Sequence, residues 1–104
     1  MLPDELLANL PTNLSPAALR DLAHILRHSA HEWGVTTARR TRARLVARIA
    51  SIADGSAVGH RRQDVRRPFL FLSEPPWVIA YDPATRRVLR ILHGARDFPA
   101  LFGA

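Results

Sequence analysis

Apolar and polar residues follow two rhythms along this chain, three- and four-residue spacing up to about residue 53 and two-residue spacing beyond residue 67. The first rhythm opens in SPAALRDLAHILRHSAHEW (15–33), where Leu19, Leu22, Leu26, Ala30 and Trp33 make one helical stripe. Ser15 suits an N-cap, Pro16 the first helical position and Asp21 the positive end of the helix dipole. Gly34 predicts the stop. A second helix is expected from Thr36 or Thr37 to about Ala53, with Ala38, Thr41, Leu45, Ile49 and Ile52 on one face and Asp54-Gly55 after its end. So short a link makes an antiparallel hairpin whose two stripes turn the same way and need cover.

The segment DGSAVGHRRQDVRRP (54–68) is polar, glycine-containing and rich in arginine. After it, 67–73, 77–82 and 87–92 read as short strands, separated by turns at Glu74-Pro75-Pro76 and Asp82-Pro83-Ala84-Thr85. The expected fold is α+β in two layers, an N-terminal helical hairpin packed on an antiparallel three-stranded meander. Leu6, Leu7, Leu10 and Leu14 suit an edge strand or a short helix, and Pro11 interrupts either. We read residues 1–104 as one domain, with 1–13 as an edge strand or an extension.

With 47% apolar residues in 104, the chain can fill one core. It has no cysteine, which excludes disulfides, thiolate metal sites and cysteine nucleophiles, and suits a reducing cytoplasm. The runs FLFL and WVIAY fall far short of the roughly 20 apolar residues of a membrane-spanning helix. Asp4 and Glu5 stand where an export signal carries basic residues, so a cytoplasmic location without a membrane partner is expected. The net charge of +6 favours an anionic partner, either nucleic acid or an acidic protein segment. All 15 basic residues are arginine, which clamps anions but moves protons poorly.

Three constellations carry candidate chemistry. His24, His28 and His31, with Glu32 beside them, have the spacing of a helical zinc site. Their arc lies opposite the Leu22–Leu26–Trp33 stripe with no further ligand suggested, so a solvated face is expected, with neither metal nor cofactor. Arg39, Arg40, Arg42, Arg44 and Arg48 spread around the second helix, whereas Arg61, Arg62, Arg66 and Arg67 cluster in the loop. The loop group is either an electropositive edge for phosphates or carboxylates, or ordinary solvated surface. Trp77, Ile79 and Tyr81 share one strand face, and Phe98 and Phe102 read as anchors of the tail.

The sharpest cluster is RILHGARD (90–97). A histidine and an arginine at a strand exit can cleave a phosphodiester, imidazole moving protons and guanidinium holding the developing charge. Equally, Gly94 can make a turn, Asp97 can pair with an arginine and His93 can cap a backbone group. Spacing alone does not separate these readings.

Four stretches together resemble the ParE-type toxins of the ParE/RelE superfamily, the toxin half of bacterial type II toxin–antitoxin pairs. They are LSPAALRDLAHI (14–25), HSAHEWG (28–34), Gly59 followed by DVRR (64–67), and WVIAYD (77–82) with VLRILHGARDFPALF (88–102). The resemblance implies a cognate antitoxin that wraps the helices and sheet. For the ParE branch it implies poisoning of DNA gyrase, and for the RelE branch ribosome-dependent cleavage of mRNA.

RelE-type ribonucleases often place a tyrosine near the C-terminus, but here Phe98, Leu101 and Phe102 follow His93, the one tyrosine is Tyr81, and lysine is absent. That favours a non-enzymatic gyrase poison. Its candidate target or antitoxin contacts are Arg66, Arg67, Arg90, His93, Arg96, Asp97 and Phe98. The ribonuclease alternative uses His93 as acid or base with Arg90 or Arg96 on the phosphate, and direct nucleic-acid binding is a secondary expectation. The resemblance also places a strand before LSPAALRDL, where PDELLANLPTN makes a poor one.

Overall fold

A computed structural model describes residues 3–103, so residues 1, 2 and 104 of the expected unit lie outside the described residues. Helix α1 (Pro16–Trp33) starts where its capping chemistry predicts, with the Ser15 hydroxyl accepting the Ala18 N–H at 3.0 Å. It buries Ala18, Leu22, Ile25, Leu26 and Ser29. The stripe is therefore rotated from the expected one, since Leu19 is 44% and Trp33 73% exposed. The reason is geometric: Asp21 bonds to β3 and Ile25 packs in one cluster with Ile79 and Ile91, so α1 turns that side to the sheet, and Trp33 lies in the last turn.

Gly34 alone joins the helices, at φ +92°, with its N–H donating to the Ala30 carbonyl and its own carbonyl accepting from Ala38 N–H. Because this one residue serves both ends, α2 (Val35–Ala53) starts earlier than its threonines suggested. Ala38, Leu45, Ile49 and Ile52 are buried on its inner face.

Strands β1 (Leu70–Glu74), β2 (Trp77–Asp82) and β3 (Arg87–His93) form an antiparallel sheet in the order β1-β2-β3. The register sets Leu72 opposite Ile79 and Ile79 opposite Ile91, and these side chains meet the helical hairpin. A bulge falls at Ala80/Tyr81. The alternate positions Phe71, Ala80 and Leu92 build a second cluster on the other face.

That face is closed by a short helix absent from the sequence expectation, α3 (Phe98–Phe102). Asp97 caps it, accepting the Ala100 N–H at 3.2 Å, and Phe98 is fully buried edge-to-face on Phe71 with ring centres 5.6 Å apart. Val65, from the loop between α2 and β1, completes the cluster.

The strand implied before α1 survives as a single parallel bridge between Leu14 and Val88. Val88 N–H donates to the Asn13 carbonyl at 2.7 Å, and Ser15 N–H to the Val88 carbonyl at 2.9 Å. Upstream, Asp4–Leu7 form a 3₁₀ helix that buries Leu6. Arg42 holds this segment through the Leu6 carbonyl, and Arg39 pairs with Glu5. The short-helix option is thus taken at residues 4–7 alone, and the chain around Pro11 is neither helix nor strand, as a residue that cannot donate to a ladder favours.

Candidate functional site

The site is assembled where β3 leaves the sheet beneath α1. Asp21 faces β3 from the second turn of α1, and its Oδ2 accepts both Arg90 Nε at 2.7 Å and the Ile91 N–H at 2.9 Å. Its Oδ1 accepts Arg90 Nη2 at 3.0 Å. The two-point pair raises the Arg90 guanidinium above its ordinary pKa, with burial opposing, so Arg90 stays charged and committed to Asp21. A candidate contact read from the strand is thereby a clip between helix and sheet.

Beyond Arg90 the chain reaches His93 and turns. Gly94 N–H donates to the Pro76 carbonyl at 2.9 Å and Arg96 N–H to the His93 carbonyl at 3.0 Å. The Ala95 N–H donates to His93 Nδ1 at 3.2 Å, which leaves Nε2 as the imidazole's outward nitrogen. The imidazole stands edge-on to Trp77, with ring centres 5.8 Å apart. Asp97 is turned to cap α3 and Phe98 is buried, so His93 and Arg96 are the side chains of HGARD that face open space.

What they face is a groove. A cavity of about 270 Å³ has Ile25, Trp77 and Ile91 as its apolar floor. His24 and His28 of α1 stand on one rim and His93 and Arg96 on the other. A second cavity of about 240 Å³ shares Ile25, His28 and Trp77 with the first and continues past Pro76 to Trp33 and Arg44. His24 and His28 are exposed, as a solvated face requires, and they also border this groove. His31 turns to Glu32 instead, at 3.3 Å.

Most helix arginines are occupied. Arg44 and Arg48 hold Glu74 at 2.9 and 3.0 Å, and hydrogen bonds from Arg48 first and Arg44 second lower the carboxyl's pKa despite partial burial. Arg62 pairs with Asp64 at 2.9 Å and lies 4.2 Å above the Phe98 ring centre. Arg66 and Arg67 are exposed, but neither lines the groove. Sequence reasoning did not assign Ile25, Trp33 or Trp77 to a site, nor pair Asp21 with Arg90. The one available signal was the His24–His28 spacing, which marks a helix face without saying what lies opposite.

A protein-family model described as "ParE toxin of type II toxin-antitoxin system, parDE" matches residues 13–98. The match runs from the residue whose carbonyl bridges to β3 through to the first residue of α3. No curated protein matches the chain.

Proposed function

Because this chain belongs to the ParE toxin family of type II toxin–antitoxin systems, we propose that it poisons DNA gyrase by docking on it. A cognate antitoxin holds it inactive until release, and the toxin acts in the cytoplasm as one domain spanning residues 1–104. The observation that supports docking over catalysis is the commitment of Arg90 to Asp21. It removes a guanidinium from the phosphate that a nuclease would have to grip.

The phenol of Tyr81 is equally occupied, since it is buried and its oxygen accepts the Gly59 N–H at 3.1 Å. What remains at the strand exit is an apolar groove rimmed by His93 and Arg96, a surface suited to holding another protein. Asp97 and Phe98 support that surface by fixing the turn and α3, while Arg66 and Arg67 add positive charge outside it.

The test is gyrase supercoiling with purified protein. Inhibition with accumulation of cleaved DNA is expected, and supercoiling untouched at molar excess overturns the reading. The common rim of His93 and Arg96 favours the second reading, a ribosome-dependent ribonuclease. Mapping transcript 5′ ends after induction separates the two, because only the ribonuclease leaves codon-linked cuts.

A further inference from the structure

Arginines crowd two stretches of the chain, 39–48 on α2 and 61–67 in the loop before β1. On α2 most of the charge is spent: Arg39 pairs with Glu5, Arg44 and Arg48 hold Glu74, and Arg42 holds the Leu6 carbonyl. The loop differs. Residues 60–67 read HRRQDVRR, and Asp64 is the one carboxylate between Gly55 and Ser73. Arg62 already takes it, with Nε and Nη2 each donating at 2.9 Å. Arg61, Arg66 and Arg67 are exposed, and none of them pairs with a carboxylate among the described residues.

The loop is held in place at several points. His60 and Phe71 exchange backbone hydrogen bonds, both at 2.9 Å, which pins it to the outer edge of β1. Val65 is buried with Phe71 and Phe98, and its N–H donates to the Arg62 carbonyl at 3.2 Å. The Arg62 guanidinium lies 4.2 Å from the Phe98 ring centre, so the arginine that neutralises Asp64 is also a strut. Arg61 reaches across the turn, its Nη2 donating to the Arg66 carbonyl at 3.3 Å. Three unanswered arginines thus share one fixed turn, at the sheet edge opposite β3, with little left to order on binding.

We propose that this turn grips the phosphate backbone of duplex DNA, with Arg61, Arg66 and Arg67 each answering a phosphate. The inference rests on the gyrase reading for the choice of DNA. It gives the toxin a hold on the duplex that its target carries, apart from the groove, which no residue of 60–67 lines. Guanidinium meets phosphate oxygens through two parallel N–H donors. A single strand calls for exposed aromatic rings on which its bases stack, whereas Phe71 and Phe98 beneath the loop are buried. An acidic peptide calls for an apolar anchor beside its charges, and Val65, the one aliphatic side chain of 60–67, faces inward.

The anisotropy of a labelled duplex is followed with the full-length toxin from about 50 to about 200 mM salt. Three neutralised phosphates give a slope of about −2.7 for log affinity against log salt, a loss of about 40-fold over that range. The combined variant Arg61→Gln, Arg66→Gln and Arg67→Gln is expected to flatten the slope by about that amount. It should also weaken binding about tenfold or more at the lower salt, whatever the duplex sequence.

A control variant, Arg20→Gln, Arg27→Gln and Arg40→Gln, removes the same charge from helix positions that also lack an ion pair among the described residues. It should keep affinity within about twofold. All six side chains are exposed, so both variants retain the fold. No binding by the wild type, equal losses in the two variants, or an unchanged slope in the loop variant overturns the proposal. So does a hexaglutamate peptide or a single-stranded RNA that the wild type holds more tightly than the duplex. Gyrase poisoning without loop-dependent DNA binding sinks this inference alone. Loop-dependent binding by a protein inert on gyrase sinks only the target.

Discussion

Asp21 and Arg90, 69 positions apart in sequence, meet in a two-point ion pair whose carboxylate also accepts the Ile91 N–H of the outer strand at 2.9 Å. The contact welds α1 to β3 and decides what the strand exit offers to a partner. Once its guanidinium is spent on Asp21, Arg90 is a support for the groove floor at Ile91, and the open chemistry shifts onward along the chain to His93 and Arg96.

Asp21→Asn keeps the shape but discharges the pair, leaving a guanidinium that is only 31% exposed without its counter-charge. A loss of roughly 2 kcal/mol is expected, between the cost of an exposed pair and that of a fully buried one. The midpoint of urea unfolding at pH 7 measures it. A variant as stable as the wild type would mean the clip contributes nothing.

Glu74 gives the pH dependence a sign. Its pKa is lowered in the folded protein, chiefly by the hydrogen bond from Arg48, so the folded state prefers the carboxylate. The stabilisation is complete above the unfolded value, about 4.3, and disappears as pH falls through the lower folded value. Glu74→Gln should therefore cost about 1 kcal/mol near neutrality and nothing once both forms are uncharged. Unfolding midpoints at pH 7 and near pH 2 should differ between wild type and variant in the first case and converge in the second.

Gly59 is required by its neighbour. A Cβ at that position would sit 2.5 Å from Tyr81 Oη and 2.8 Å from Cε1, on a ring buried in the core that has nowhere to retreat. Gly59→Ala is expected to lose about 1–3 kcal/mol through overpacking and to loosen the loop before β1. Limited proteolysis should cut the variant within 54–69 faster than the wild type. Tyr81→Phe, which removes the acceptor of the Gly59 N–H, should show a smaller loss of about 1 kcal/mol.

Much of the architecture was legible because its periods are long enough to read. Eighteen residues of α1 and nineteen of α2 carry several turns of pattern, and the three strands are bounded by proline turns. The face of α1 was harder, since Leu19 and Ala18 are neighbours and both are apolar. Only the position of β3 decides that Ala18 is buried and Leu19 is not. Helix α3 has five residues, too few for a period, although Asp97 followed by Phe98-Pro99 is a cap signature that could have marked it.

Of the residues read from RILHGARD, His93 and Arg96 line the groove, whereas nothing local announces that Asp21 takes Arg90 or that Phe98 is buried. Such long-range partners are set by tertiary packing, which spacing does not encode.

The last prediction separates docking from catalysis at His93 and Arg96. If the strand exit works by contact, His93→Gln removes one rim interaction and keeps the polar edge, so potency against gyrase should fall only several-fold. Arg96→Glu places a like charge where an acidic or polar partner surface must approach, and should cost about tenfold or more, equivalent to roughly 1.4 kcal/mol of binding. If His93 were instead a general acid or base, its loss would lower the rate by roughly 10²–10⁴-fold with little change in binding. Both side chains are exposed and neither belongs to a buried cluster, so stability should stay within about 0.5 kcal/mol and leave activity as the readout. Supercoiling titrations with both variants, alongside unfolding midpoints, check the pattern: a graded loss ordered by charge supports docking, and near-abolition by His93→Gln alone contradicts it.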